Sequence, residues 1–232
     1  MGNGRLVYHA DVREHFESKK AMGALHQGVM RSFREYMLVG GMPQVVQAFV
    51  NGKDFGKADY VKQQIITLYK NDMQEQNEEN SVYVRNFFDR IPSELSKHDK
   101  RYVLSHIDSS ARIRNYQGPI RWLDEAMIVN LASKVDDPSA AFNFGVTDPA
   151  FKCYLSDTGL LVSPAFSDRL DLENELYRAV LRDQLQVNEG MLVENVVAQC
   201  LKANGHRAYF YVERNPETRK TTMEIDFLIR QA

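Results

Sequence analysis

The chain has 232 residues, of which 44% are hydrophobic and 26% are charged, and its formal net charge is −2. These values are ordinary for a globular protein of one large or two small domains, and they exclude a global electrostatic attraction to nucleic acid. No apolar run approaches the ~18 residues that a membrane span needs, and no secretion signal begins the chain, so a cytoplasmic location without membrane contact is expected.

The first part of the chain is predicted to be almost entirely helical. Apolar residues recur at three- and four-residue steps between about 21 and 50, and Val39-Gly40-Gly41-Met42-Pro43 interrupts them. Glycine tolerates positive φ and proline is favoured in a first helical turn, so one helix should end near Leu38 and the next should start at Pro43. Further helices are predicted over about 57–76 and 81–90, with a new one starting at Pro92.

The middle of the chain has the element order of a winged helix-turn-helix. Apolar residues at helical spacing from Ile113 to Met127 predict a helix, and 128–132 predicts a strand. Because an interior proline costs ~3 kcal/mol, the helix is expected to kink at Pro119 or to restart there.

Positive charge is concentrated in the same region. From Lys97 to Arg121 there are six basic and two acidic residues, a net charge of +4. A recognition helix can enter the major groove with arginines on phosphates or guanine edges. The candidate nucleic-acid contacts are therefore Arg112, Arg114 and Arg121, off the apolar stripe, and Lys100 and Arg101 before the helix. A solvated face and a protein contact are the alternatives.

The C-terminal part mixes helices and strands. A loop is predicted over 136–148, a strand, a turn and the start of a helix over 151–161, and a helix over 172–186. The last elements are a helix over about 191–202 and strands over 209–212 and 222–230. Alternation in the last strand predicts Met223, Ile225, Phe227 and Ile229 on one face and Glu224, Asp226 and Leu228 on the other.

Three acids of this region have the placement of half a nuclease centre. Magnesium-dependent phosphodiester cleavage needs converging carboxylates and a lysine that positions water or stabilises charge. Glu194, Asp226 and Glu224 are the candidate catalytic residues, and Glu194 and Asp226 are the candidate metal ligands. The alternative is that these acids only face solvent. No lysine-bearing strand follows Asp226, so the site is expected to be incomplete.

Three stretches, in this order, resemble one family. They are Phe33-Arg34-Glu35-Tyr36-Met37-Leu38-Val39-Gly40-Gly41-Met42-Pro43-Gln44-Val45-Val46; Ile91-Pro92-Ser93-Glu94-Leu95 with Ala111-Arg112 and Ile120-Arg121-Trp122-Leu123-Asp124-Glu125-Ala126; and Phe151-Lys152-Cys153-Tyr154-Leu155-Ser156-Asp157-Thr158-Gly159-Leu160-Leu161 with Leu192-Val193-Glu194-Asn195-Val196-Val197-Ala198 and Glu224-Ile225-Asp226-Phe227. Together they resemble the C-terminal region of prokaryotic AAA+-superfamily ATPases that carry a domain of unknown function after the ATPase domain.

The resemblance implies a P-loop ATPase domain before this chain, a helical and winged-helix middle, and a C-terminal domain similar to the PD-(D/E)xK nuclease fold. Glu194 matches that family's helix acid and Asp226 its first strand acid, while the following Glu-x-Lys strand would lie beyond Ala232. The expected fold is therefore α+β. A helical domain with a winged helix-turn-helix spans 1–165, and a truncated α/β restriction-endonuclease-like domain spans 166–232.

The leading functional hypothesis is the DNA- or partner-engaging C-terminal region of a AAA+-type ATPase, without catalysis of its own. The alternatives are a magnesium-dependent nuclease in the full-length protein and a protein-interaction or regulatory module. No cofactor is expected in this chain, because ATP and Mg²⁺ would act only in the full-length protein. The expected partners are DNA, the ATPase domain or another protein; the sequence does not indicate an oligomeric state. Gly40–Pro43 either contacts the ATPase domain or forms a tight turn, and backbone geometry favours the turn.

Overall fold

The computed structural model describes residues 4–75, 78–107, 109, 112–138, 150–163, 189–218 and 220–230. The α-helices in these residues are α1 (Gly4–Ser18), α2 (Leu25–Val39), α3 (Pro43–Val50), α4 (Phe55–Gln74), α5 (Glu78–Leu95), α6 (Ile113–Glu125), α7 (Thr158–Leu161) and α8 (Glu189–Ala203). A 3₁₀ turn covers Leu104–His106, and the strands are β1 (Val129–Lys134), β2 (Phe151–Leu155), β3 (Ala208–Arg214) and β4 (Thr221–Leu228). The predicted helix over 172–186 and most of the predicted loop over 136–148 lie outside the described residues.

The predicted break between the second and third helices is confirmed. α2 ends at Val39, Gly40 follows with φ 80°, and Pro43 opens α3. Glycine adopts this left-handed conformation without a steric penalty, and proline supplies the φ of a first helical turn. Lys62 of α4 is 1% exposed, and its ammonium group donates to the Leu38 carbonyl at 3.0 Å, which satisfies one of the last acceptors of α2.

The prediction of a new helix at Pro92 was wrong, and of the two alternatives left open at Pro119, a kink or a new helix, the new helix is excluded. Pro92 lies inside α5 and Pro119 lies inside α6, and both helices continue through them. Each proline removes one helical hydrogen bond, at a cost of ~3 kcal/mol. Ile91 before Pro92 and Leu95 beyond it are nonetheless buried, at 0% and 1% exposed. Burying such a side chain contributes roughly 2 kcal/mol, and several of them outweigh the lost bond.

The four strands form one mixed sheet in the order β2-β1-β3-β4. β1 pairs antiparallel with β2 and parallel with β3, and β3 pairs antiparallel with β4. The outer edge of β2 is covered: Tyr102 N donates to Phe151 O at 2.8 Å, and the Asn195 side chain bonds both backbone groups of Leu155 at 2.9 and 3.0 Å. β1 and β2 precede residue 165, the predicted domain boundary, and β3 and β4 follow it. The sheet therefore contains strands from both predicted domains.

The two faces of the sheet are covered by different helices. On β2, Phe151 points towards α5, where its ring stacks on Phe87 with centroids 6.1 Å apart. Lys152 and Tyr154 lie on the opposite face, where the Tyr154 hydroxyl reaches Glu194 of α8. Successive strand residues alternate between faces, so the register places Ala132 of β1 and Phe210 of β3 beside Lys152 on the α8 side.

A bulge in the pairing of β3 with β4 corrects the predicted alternation. Tyr209 pairs with Leu228 and Tyr211 pairs with Ile225, so two residues of β4, Asp226 and Phe227, lie opposite one residue of β3. A bulge re-aims the side chains of the strand that carries it. Phe227 consequently packs on the same side as Asp226, with its ring 5.5 Å from that of Tyr154, and Leu228 moves to the face of Ile225.

The fold class is α+β, as predicted. Helices precede and cover a four-stranded mixed sheet. The winged helix-turn-helix and the nuclease-like unit stay predictions: a β-hairpin follows α6, but its first strand also pairs with β3 and is not a free wing. In the part of the chain that the structure describes, no helix has both the length and the apolar character that a membrane crossing requires.

Candidate functional site

A buried lysine joins the two acids of β4. The Lys152 side chain is 1% exposed, and its ammonium group donates to Asp226 Oδ1 at 2.8 Å and to Glu224 Oε1 at 3.3 Å. It also lies 5.2 Å from the centroid of the Phe210 ring. A lysine ammonium is rarely buried unless it is paired, so the two carboxylates and the ring account for its position.

The helix acid has partners of its own. Lys100 Nζ donates to Glu194 Oε1 at 2.5 Å, and the Tyr154 hydroxyl donates to Glu194 Oε2 at 3.0 Å. The side chains of Lys100 and Glu194 are 17% and 15% exposed. Burial, and then the negative charge of Glu194, raise the pKa of Tyr154, so its hydroxyl remains a neutral donor.

The three predicted acids are thus arranged around neighbouring side chains of β2. Lys152 holds Glu224 and Asp226, and Tyr154, two residues further along the same face, holds Glu194. Two ammonium groups face three carboxylates, which leaves one net negative charge. The arrangement is an electrostatic network in which every acid already accepts from a cation.

The residues fit a magnesium ion only in part. Glu224 and Asp226 supply the carboxylate oxygens that Mg²⁺ prefers, and they are 32% and 50% exposed. Lys152 already occupies one oxygen of each, which leaves the second oxygen of each carboxylate for an ion. Among the described residues, no group of three or more His, Cys, Asp or Glu side chains is arranged to hold a metal.

Sequence reasoning missed Lys152 and Tyr154. It expected the lysine of the acidic site on a strand after Asp226, whereas the structure brings one from a strand that precedes both acids. A signal was available: Lys152 is a single charge within Phe151-Lys152-Cys153-Tyr154-Leu155, a strand that is buried at every position. A lysine in a fully buried strand requires an acidic partner, although the sequence does not say which one.

The predicted basic residues fall into two groups. Lys100 is paired with Glu194, and Arg101 Nε donates to Asp99 Oδ1 at 2.8 Å. The three arginines at the start and on the outer side of α6 are different: they are Arg112, Arg114 and Arg121. They are exposed, and none of them forms an ion pair with any residue in the described ranges.

The Gly40-Gly41 turn has a structural partner inside this chain. Gly41 N donates to Asp157 Oδ2 at 2.7 Å, and a Cβ on Gly40 would lie 1.9 Å from Asp157 Oδ1. A Cβ on Gly159 would lie 2.3 Å from the Val39 carbonyl oxygen. The two glycine turns pack backbone to backbone around a buried carboxylate, which supports the interpretation of Gly40–Pro43 as a tight turn.

Comparison with known proteins gives one family. Residues 30–172, more than half of the chain, match a domain of unknown function (DUF8612). The matched segment contains the Gly40-Gly41 turn, α6 and Lys152, and it ends before Glu194, Glu224 and Asp226. No curated protein and no solved structure shows significant similarity to the chain. The chain belongs to the DUF8612 family, whose members share a domain of unknown function.

Proposed function

We propose that this chain is a DNA-engaging region of a AAA+-type ATPase and has no catalytic activity of its own. The observation that carries the proposal is the outer side of α6, where Arg112, Arg114 and Arg121 are exposed without an acidic partner among the described residues. Arginine is the residue most suited to phosphate and guanine recognition, because its planar group donates several hydrogen bonds at fixed angles.

The position of these arginines on the helix favours a nucleic-acid contact. α6 buries Tyr116, Ile120 and Leu123, so its opposite side is presented to solvent. Arg114 and Arg121 are seven residues apart, about 10 Å along the helix axis, and therefore lie on the same side. A helix with this distribution of charge can contact phosphates along a groove.

The acidic network supports the absence of catalysis in this chain. Lys100 pairs with Glu194 and Lys152 pairs with Glu224 and Asp226, so each acid already has a cation before any metal ion binds. A cytoplasmic location, where DNA and ATP are both available, belongs to the same proposal.

DNA binding is tested by fluorescence anisotropy with a labelled duplex over a series of salt concentrations. The chain should bind, and the triple variant R112Q/R114Q/R121Q should bind more weakly, with the slope of log K against log salt reduced by about 3. The matched control is K19Q/K20Q/K220Q, which removes three exposed charges elsewhere. Equal binding by both triple variants would remove the role of α6 and would leave a protein partner as the better hypothesis.

The ATPase part of the proposal is tested independently. The coding sequence upstream of this chain should encode a P-loop, and the full-length protein should hydrolyse ATP. An upstream sequence without a P-loop contradicts this part and leaves the DNA-binding test unaffected.

A magnesium-dependent nuclease in the full-length protein is the second candidate. It is favoured by one observation: two acids and a lysine meet on one face of the sheet, with Lys152 Nζ 2.8 Å from Asp226 Oδ1. Full-length protein should then cleave DNA with Mg²⁺ but not with EDTA, and Asp226→Ala should abolish cleavage. Cleavage that persists in this variant would show that these acids are not the active site.

A further inference from the structure

The side of α6 that faces solvent carries uncharged residues between its arginines. Arg114 and Arg121 are two helical turns apart, and Gln117 and Gly118 each lie three or four residues from both of them. All four residues are exposed. Residues at these spacings are neighbours on a helix surface, so an amide group and a bare stretch of backbone lie between two cationic groups.

The Gln117 amide forms no hydrogen bond with any residue that the structure describes. Asn115, two residues earlier, differs in this respect, because its Nδ2 donates to the Tyr83 hydroxyl at 3.3 Å. The amide of Asn115 therefore helps to hold α6 against α5. The amide of Gln117 is turned to solvent and keeps both a donor and an acceptor for a ligand.

Gly118 leaves the helix backbone uncovered beside this amide. Apart from its chain neighbours and the backbone of its own helix, no atom lies within 4 Å of the position that a Cβ would take, so packing does not require a glycine there. Pro119 gives a local reason for it, because a Cβ before proline disfavours the helical conformation. The consequence at the surface is that a ligand can approach α6 more closely at Gly118 than at a residue with a side chain.

The dimensions of this surface match the major groove of duplex DNA. The two arginines are about 10 Å apart along the helix axis, and the groove is about 12 Å wide. Arg114 and Arg121 can therefore reach phosphates while Gln117, between them, faces the base edges. Glu125 lies on the same side four residues after Arg121, so the phosphate contacts should end before it.

A glutamine amide is complementary to the edge that adenine presents in the major groove. Its carbonyl oxygen accepts from adenine N6 while its NH₂ group donates to N7, and each of the other bases presents a different pattern there. We propose that Gln117 reads an A·T base pair in the major groove, so that α6 recognises a DNA sequence as well as the charge of the backbone. This inference rests on the proposed DNA binding, to which it adds the residue that specifies the sequence.

The inference is tested by selection from a pool of random-sequence DNA duplexes, followed by anisotropy with the selected duplex. The unmodified chain should enrich sequences that share an A·T pair, and replacing that pair by G·C should weaken binding by about tenfold. Gln117→Ala should bind the two duplexes equally, with an unchanged salt slope because no charge is lost. The matched control Gln64→Ala removes an exposed amide of α4 and should keep the preference.

Gln117→Arg should change the specificity instead of removing it. Arginine pairs with guanine O6 and N7, so this variant should prefer the G·C duplex to the A·T duplex. Gly118→Ala should weaken binding to both duplexes without changing the salt slope, because the added methyl group holds the bases away from α6. Duplex RNA of the selected sequence should not compete, since side chains cannot read the narrow major groove of A-form RNA.

The negative results separate this inference from the proposed function. If the chain binds the pool but enriches no sequence, or if Gln117→Ala keeps the preference, the role of Gln117 is overturned and DNA binding through the arginines stands. RNA that competes as well as DNA contradicts recognition in the major groove. If the chain binds no duplex at all, the proposed function and the inference are both overturned.

Discussion

Two groups of basic residues that look alike in the sequence have different environments in the structure. Before α6, Lys97, Lys100 and Arg101 each contact an acid. At the start and on the outer side of α6, Arg112 and Arg114 are exposed and form no ion pair with any described residue. The first group therefore contributes to the fold and the second is available to a partner. Net charge along a segment counts both groups equally and cannot separate them.

Among the paired basic residues, replacement of the buried Lys152 is expected to lower stability most. Lys152→Met leaves Glu224 and Asp226 without their cation, and the free energy of unfolding should fall by about 2 kcal/mol. This is less than the ~3–5 kcal/mol for fully buried pairs, because water still reaches both acids. Urea denaturation measures it. Lys57→Met, an exposed lysine 4.0 Å from its acid, should change stability by less than about 0.5 kcal/mol. Equal losses of stability in Lys152→Met and Lys57→Met would contradict a stabilising role for the buried contacts of Lys152.

A smaller effect is expected at Lys100. Lys100→Met removes one partner of Glu194 but leaves the Tyr154 hydrogen bond, so unfolding should become easier by about 1–2 kcal/mol. DNA affinity should be unchanged, because this lysine is already paired. Anisotropy and urea denaturation on the same preparation give both values. If Lys100→Met lost DNA affinity but kept normal stability, Lys100 would contact DNA, as is proposed for Arg112 and Arg114.

A third effect depends on pH. Hydrogen bonds from Arg101 lower the pKa of Asp99 from 3.8 to about 2. A lowered pKa in the folded state means that the stabilisation is complete above about pH 4 and is lost as the pH falls towards 2. The loss should stay below about 1 kcal/mol, because Asp99 is half-exposed. Asp99→Asn should show less dependence on pH in that window, and an unchanged dependence would assign the titration to other groups.

The smallest effect on stability is expected for the exposed arginines of α6. Arg114→Gln should change the free energy of unfolding by less than about 0.5 kcal/mol, because the side chain is exposed and has no acid partner among the described residues. Its DNA affinity should nevertheless fall, with the salt slope reduced by about 1. If Arg114→Gln lowered stability without changing DNA binding, Arg114 would belong with the basic residues that contribute to the fold.

The buried carboxylate at the glycine turn shows why some features were not predictable. Gly40 and Gly41 predict a turn, but Asp157, which accepts from Gly41 N, is more than a hundred residues away in sequence. Burial raises the pKa of Asp157, and backbone N–H groups oppose this effect. A local pattern carries no information about such a partner, because the contact depends on how α2 and α7 pack.

The errors at Pro92 and in β4 have a related cause. A proline rule describes the isolated helix, whereas Ile91 and Leu95 are buried and keep α5 continuous. Alternation describes an ideal strand, and the pairing with β3 introduces a bulge that turns Phe227 to the side of Asp226. In both cases tertiary packing outweighs a local preference of a few kcal/mol.

Backbone preference and hydrophobic periodicity predict the helical first part, the turn at Gly40, most of the described elements of the C-terminal part and the position of Glu224 and Asp226 on one face of a strand. The pairing of Lys152 with those two acids, the pairing of Lys100 with Glu194 and the exposure of the arginines of α6 depend on how the chain packs. Periodicity acts within a few residues, whereas the partner of a charge depends on strand order and helix packing across the whole chain.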